Sequence, residues 1–148
     1  MLTMRSAAEH EVPTLHRLGL SSFQNRDRFD WGWTEEYLQY LLSTSSGFLH
    51  VAEVAGEPQI VGLHCGVWNY PECREDQCRF YWLYIDSRFR RRGIGTQLIQ
   101  YSLARAAERG KRSAIVGIWG SDEPARQVVE HLGFQQVETL NLMRLTLD

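Results

Sequence analysis

Leu83-Tyr84-Ile85-Asp86-Ser87-Arg88-Phe89-Arg90-Arg91-Arg92-Gly93-Ile94-Gly95-Thr96-Gln97-Leu98 decides the reading of this chain. The aromatic run from Phe80 to Ile85 enters this stretch as a strand. Arginines at 88, 90, 91 and 92 and glycines at 93 and 95 follow. A helix from about Thr96 to Arg109 comes next, with Leu98, Ile99, Ser102, Leu103, Ala106 and Ala107 on one face and Gly110 at its stop. N–H groups at a helix start lack partners and point outward, and the helix dipole adds partial positive charge there. Glycine lets an anion come close to that backbone. Guanidinium groups supply paired donors for phosphate oxygens. Together these features predict a cradle of pyrophosphate size. Two common phosphate loops do not fit: the third glycine of G-x-G-x-x-G is Leu98 here, and no Gly-Lys-Ser/Thr follows.

Outward from that stretch, Leu2 to Arg5 alternates as a short first strand. Glu9 to Phe23 has helical spacing at Val12, Leu15, Leu18 and Leu20, with Pro13 in the first turn. Thr34 reads as an N-cap ahead of Glu35 and Glu36, and Tyr37, Leu38, Leu41 and Leu42 form the stripe of a second helix. Phe48–Ala55 and Gln59–Trp68 flank Gly56-Glu57-Pro58 and predict a hairpin that is apolar on both faces. Centred on Glu57, that hairpin sets His50 opposite His64. Ser113 to Trp119 predicts another strand. Asp122 and Pro124 open a last helix that ends at Gly133. Phe134–Thr139 and Leu140–Leu147 predict two closing strands. The order βαα-βββ-α-β-α-ββ predicts an α+β (mixed α/β) fold, a single domain over residues 1–148. Its mixed sheet has six to seven strands with helices on both faces.

The chain of 148 residues has the length of one domain, and its 43% apolar and 23% charged content is ordinary for a globular protein. Sixteen basic against 18 acidic residues leave a net charge of −2, which offers no general attraction for nucleic acid. No apolar stretch is long enough to cross a bilayer. Met1 to Ser6 has no apolar run of signal-peptide type, so a cytoplasmic setting is expected. Cys65, Cys73 and Cys78 are odd in number and lack the spacing of a zinc knuckle; they are expected as reduced thiols, with no metal.

The form Arg90-x-x-Gly93-x-Gly95 resembles the acyl-CoA-binding loop of the GNAT N-acetyltransferase superfamily, whose signature is Arg/Gln-x-x-Gly-x-Gly/Ala. The likeness runs over nearly the whole chain, through the strand before the loop, the helix after it and the later Leu132-Gly133-Phe134. This resemblance implies acetyl-CoA as co-substrate, held in a V-shaped opening between the fourth and fifth strands. The pantetheine arm would lie along Leu83, Tyr84 and Ile85. The pyrophosphate would take the main-chain N–H groups of Arg91, Arg92, Gly93, Ile94, Gly95 and Thr96, with Arg90 opening the motif. An amine acceptor would then attack the thioester directly in a ternary complex. A module that senses acyl-CoA without turnover, or a transferase for hydroxyls or other acyl groups, are the alternatives.

The catalytic pattern of the family is not reproduced. Its tyrosine acid on the last helix falls at Val129, and the preceding asparagine falls at Asp122, which reads more simply as an N-cap. Glutamates that different branches use as a base fall at Arg79 and Gly117. The remaining candidates for acid or base are His64, Glu53 and Tyr81. Without a carboxylate base, an acceptor of low pKa is favoured. At neutral pH a lysine amine near ~10.4 is neutral in roughly one molecule in a thousand, and an α-amine near ~7.8 in roughly a third. Asp30, Trp31 and Trp33, between the first two helices, are candidates for an acceptor pocket. The two Trp read equally well as a core edge or a dimer contact.

Overall fold

The computed structural model describes the chain except residues 23–31, 57–58, 70–73, 119–121 and 148. It divides into two compact units, Met1–Gly117 and Ile118–Asp148. The first unit contains β1 (Leu2–Ser6), a 3₁₀ turn (Glu9–Glu11), α1 (Val12–Ser22), α2 (Glu35–Ser43), β2 (Gly47–Val54), β3 (Ile60–Val67) and β4 (Gln77–Ile85). A second 3₁₀ turn (Ser87–Phe89), α3 (Ile94–Glu108) and β5 (Ser113–Val116) complete it. The strands form one sheet in the order β1-β2-β3-β4-β5. Pairing is antiparallel as far as β4, and β5 lies parallel to β4. Parallel neighbours need a crossover, which α3 supplies.

Alternation along the strands separates two cores. Leu49 and Val51 of β2 and Leu63 and Cys65 of β3 join Leu15 of α1 and Leu38 and Leu41 of α2. Ala52 and Val61 join Ile94 and Leu98 of α3 together with Phe89. Successive strand residues point to opposite faces, so α1 and α2 cover one side of the sheet and α3 the other. The hairpin pairs His50 with His64, as expected, and its register shifts by one residue between Ala52 and Glu53. At the head of α2 the Thr34 hydroxyl accepts from the Tyr37 N–H at 3.1 Å, with Glu35 and Glu36 in the first turn.

A β-bulge interrupts β4. Cys65 pairs with Trp82, but Gly66 pairs with Phe80, so Tyr81 is an extra residue. The bulge reverses the alternation. Phe80 sits against His64 on the α3 side, with ring centroids 4.6 Å apart, while Trp82 packs into the core under α1 and α2. Gly66 faces the bulge because a Cβ there would run into the Arg79 carbonyl and the Phe48 ring.

In the second unit, α4 (Glu123–His131) starts on Asp122, whose carboxylate accepts from the Ala125 N–H at 3.2 Å. Gly133 is left-handed, and the Phe134 N–H returns to the Val129 carbonyl at 3.0 Å to close the helix. The two closing strands expected at Phe134–Thr139 and Leu140–Leu147 are not formed: residues 134–147 carry no strand, and the sheet has five strands instead of six or seven. Val137, Leu140, Met143, Leu145 and Leu147 are exposed. Alternation alone does not make a strand, because the backbone needs a ladder partner, and the apolar parity also slips between Leu142 and Met143.

Candidate active site

The parallel pairing of β4 with β5 ends at Phe80 opposite Val116. Beyond it, Leu83, Tyr84 and Ile85 pair with β3 on one side and have no strand partner on the other among the described residues. The sheet thus opens at the Tyr81 bulge and presents an extended backbone edge. Leu83 lies on that edge and is 36% exposed.

The turn after β4 is fixed by Asp86. Its carboxylate accepts from the Arg88 N–H at 2.9 Å and from the Arg88 guanidinium at 3.2 and 3.1 Å. Those bonds to Arg88 hold the Asp86 carboxyl below its usual pKa. Phe89 is buried and anchors the loop to the α3 core. Arg92 lies over its ring at 5.1 Å, and the Arg90 side chain donates to the Ile85 carbonyl at 3.1 Å. Two of the four arginines therefore brace the loop, Arg88 through Asp86 and Arg90 through the Ile85 carbonyl, and Arg91 and Arg92 lie exposed beside the helix start.

Arg91 has φ 64° and Gly93 has φ 75°. A side chain in the left-handed region costs about 1–2 kcal/mol, and such strain recurs where backbone is shaped for a ligand. Two left-handed residues flanking Arg92 turn successive N–H groups toward one concavity. No side chain caps α3, and its first bond runs from the Gln97 N–H to the Gly93 carbonyl at 3.0 Å. Helix geometry leaves the N–H groups of Ile94, Gly95 and Thr96 without a partner inside the helix. A Cβ on Gly95 would meet Leu83 and Ile85 at an ordinary 3.5 and 3.6 Å, and its φ is not positive. Neither packing nor conformation demands glycine there. The site fits a phosphate anchor continuous with an unpaired strand edge.

The other expected site residues fall elsewhere. His64 is buried beneath α3, where its Nδ1 contacts the Ser102 hydroxyl at 2.7 Å, and burial lowers its pKa to about 3. Glu53, on β2, binds the Arg5 guanidinium at 2.6 Å. Tyr81 stands at the bulge, with the Arg79 guanidinium 5.6 Å from its ring centroid. Trp33 is buried in the core beside α1 and α2. Its indole N–H donates to the His16 carbonyl at 3.0 Å, and its ring meets Trp82 edge-on at 5.6 Å. The cause lies in α1, where Gly19 leaves the space that the indole occupies. Asp30, Trp31 and Cys73 lie outside the described residues. Cys65 is a buried free thiol, and Cys78 is buried with its Sγ 3.6 Å from the Ser113 carbonyl. Among the described residues, no group of three His, Cys, Asp or Glu side chains could hold a metal. Sequence reasoning missed Asp86 as the brace of the loop, although Asp two residues before a basic turn is an Asx-turn signal. It also missed Ser102 as the partner of two histidines, for which the sequence carries no local signal.

The sequence profile of the acetyltransferase (GNAT) family matches residues 14–134. This chain belongs to that family. It is 25% identical over 142 residues to an uncharacterized N-acetyltransferase, MJ1207, of Methanocaldococcus jannaschii, covering 93% of this chain and 62% of that protein. It is 30% identical over 124 residues to mycothiol acetyltransferase of Corynebacterium glutamicum, covering 78% of this chain and 40% of that protein. The chain thus spans less than two thirds of either relative's length. Among solved structures, AAC(6')-Iy in complex with the bisubstrate analogue CoA-S-monomethyl-acetylneamine has the same fold. The TM-score is 0.80 at 15% identity over 99% of both chains.

Proposed function

We propose that this chain transfers the acetyl group of acetyl-CoA to an amine by direct attack in a ternary complex. One observation carries the reading: the Leu83–Ile85 edge of β4 leads into the uncapped, glycine-flanked start of α3, so an extended amide-bearing arm and its pyrophosphate would find backbone partners along one line. Leu83, Tyr84 and Ile85 would pair with the pantetheine arm. The N–H groups of Arg91, Arg92, Gly93, Ile94, Gly95 and Thr96 would hold the pyrophosphate, with Arg90 beside them. When bound, the cofactor supplies the thioester. The amine nitrogen attacks its carbonyl carbon and gives up a proton, the carbon–sulfur bond breaks, and the leaving thiolate takes a proton. The family match, the name of the M. jannaschii relative and the CoA-linked analogue bound to AAC(6')-Iy support this reading. Because the match runs through both units, it also supports a single acyltransferase domain over residues 1–148. No helix among the described residues is long and apolar enough to cross a membrane; a cytoplasmic setting belongs to the same proposal.

The acceptor is an amine that is neutral near physiological pH without help from a carboxylate. Arg79, on β4 ahead of the opening, stands where some branches of the family place a glutamate. A guanidinium near the acceptor disfavours the ammonium form and so favours the neutral nucleophile. Tyr81 is the side chain proposed to face the transferred proton. Calorimetric titration with CoA, followed by free-thiol release over amine, peptide and aminoglycoside acceptors, tests the proposal. Absence of CoA binding overturns the cofactor site. Binding without turnover on any acceptor favours the second reading, an acyl-CoA sensor, for which Val129 in place of the acid tyrosine is the specific observation.

A further inference from the structure

Beneath α3, β2 and β3 present His50 and His64 side by side, and both reach one hydroxyl. Nδ1 of His50 lies 2.8 Å and Nδ1 of His64 lies 2.7 Å from the Ser102 Oγ, which is 3.2 Å from the Leu98 carbonyl. The three residues are between 0% and 3% exposed, so water does not share the accounting. A serine hydroxyl has one proton to give. The Leu98 oxygen can only accept, so when Ser102 donates to it both imidazoles carry their proton on Nδ1 and donate inward. Every described polar contact between α3 and the two central strands passes through this hydroxyl.

Aromatic rings and two arginines surround the pair, and no described carboxylate acts on either ring. Phe48 stacks on His50 at 4.7 Å, Phe80 meets His64 at 4.6 Å, and Tyr101 meets His50 edge-on at 5.0 Å. Trp68 tilts against His50 at 5.9 Å. Leu83 pairs opposite His64 on β4, and Ser6 pairs opposite His50 on β1. The charged groups acting on His50 are Arg105 of α3 and Arg109 at its C-cap, and the carboxylate near them, Glu108, is engaged by Arg105 at 2.6 Å. His50 and His64 also oppose each other's charge.

We propose that His50, Ser102 and His64 form an acid-sensitive pin that positions α3, and with it the phosphate cradle, on the sheet: neutral imidazoles hold the helix, and a second proton, taken at Nε2, leaves the bonds to Ser102 in place but buries a charge that the opening of α3 relieves. The inference rests on the cofactor reading above and makes the three side chains positioning residues. Ser102 lies nine residues after Gly93, about 13 Å along the helix, so a tilt at the pin moves the cradle against the β4 edge. Burial, followed by the two arginines, lowers the pKa of His50 to about 4, and burial followed by His50 lowers that of His64 to about 3. A base with a depressed pKa binds fewer protons in the closed state than in the open one. The pin is therefore at full strength above about pH 6.5 and weakens as the pH falls toward 4. Linkage makes the open state on the order of twentyfold more populated for each imidazole at about pH 5 than at about pH 7.

The test uses the full chain and two readouts. In the first, CoA affinity is measured by calorimetry from about pH 7.5 to about pH 5 for the wild type, S102A and H50N/H64N. The asparagine amide stands where Nδ1–H stood and does not titrate. The wild type should lose at least tenfold in affinity beyond any change seen in H50N/H64N, which removes the contribution of the ligand's own phosphates. S102A should bind at least tenfold more weakly at every pH. In the second, amide hydrogen exchange of the wild type alone, corrected for intrinsic rates, should show α3 losing at least tenfold in protection relative to β2 and β3 at about pH 5. This readout holds even if a variant fails to fold. Parallel pH profiles for the wild type and H50N/H64N, or equal loss of protection in α3 and the strands, overturns the pin. Absence of CoA binding at any pH together with selective loosening of α3 overturns the cofactor reading and leaves the pin standing.

Discussion

Gly95→Ala separates what the fold needs from what the ligand needs. Gly95 lies in the first turn of α3, where alanine is a better helix former than glycine by about 0.5–1 kcal/mol. The added methyl meets Leu83 and Ile85 at 3.5 and 3.6 Å, ordinary contact distances, and no positive φ opposes it. The variant should therefore be more stable by up to about 1 kcal/mol. With a urea m-value of about 2 kcal/mol/M, its unfolding midpoint should rise by about 0.3–0.5 M. The same methyl projects from the backbone that would face the pyrophosphate. Losing one hydrogen bond to a charged oxygen costs about 1.5–3 kcal/mol, so CoA affinity should fall by roughly ten- to a hundredfold. Urea unfolding followed by tryptophan fluorescence and calorimetric titration with CoA read the two effects separately. A more stable variant with undiminished affinity would refute the cradle. A destabilised variant would refute the packing argument.

Gly93→Asp combines a left-handed φ of 75° with a carboxylate at the anion site; CoA binding should vanish, and thermal unfolding should report a loss of about 1–2 kcal/mol from the backbone alone. Gly66→Ala drives a Cβ into the Arg79 carbonyl and the Phe48 ring and should destabilise by about 3 kcal/mol or more, read in the same urea experiment. Leu38→Ala empties a fully buried site in the α1–α2 core and should cost about 2–5 kcal/mol with little change in CoA affinity per folded molecule. Acceptor kcat/KM at saturating acetyl-CoA should rise with pH along the amine's own titration. A limb that stays near pH 6.5 when the acceptor is exchanged for one of different pKa would instead reveal an enzyme base.

Most of the fold was legible because its determinants are local or periodic. Thr34 ahead of Glu35-Glu36, Asp122 ahead of Pro124 and glycines at 110 and 133 mark helix ends within a few residues, and each does so in the structure. The expected pairing of His50 with His64 is present, although the register shifts by one residue between Ala52 and Glu53. The closing strands failed for the opposite reason, since a strand is a property of two segments and the alternation at 140–147 names no partner. The bulge at Tyr81 was hidden for a related reason. Phe80 and Trp82 share parity, so the sequence puts them on one face; the extra residue that separates them is defined only by the spacing on β3.

The site divides along the same line. The cradle lies within one continuous stretch, and its chemistry comes from backbone N–H groups that glycine spacing exposes; a linear pattern can therefore carry it. Counting arginines overstated its charge, because Asp86, two residues before Arg88, turns that side chain back on the loop. Trp33 was ambiguous because a tryptophan after a polar segment looks the same whether it faces a ligand or fills the notch left by Gly19, fourteen positions earlier. The Ser102 cluster lies furthest from view, joining residues 52 and 38 positions apart through one hydroxyl. On α3, Ser102 occupies a core-facing position where an alanine or a leucine would satisfy the helical pattern equally well. Its polarity becomes meaningful only once the hairpin has set two imidazoles beneath it. A small polar residue on an otherwise apolar helix face therefore predicts that the opposing strands carry its partners, and the two histidines of the hairpin were the unassigned polar residues left to meet it.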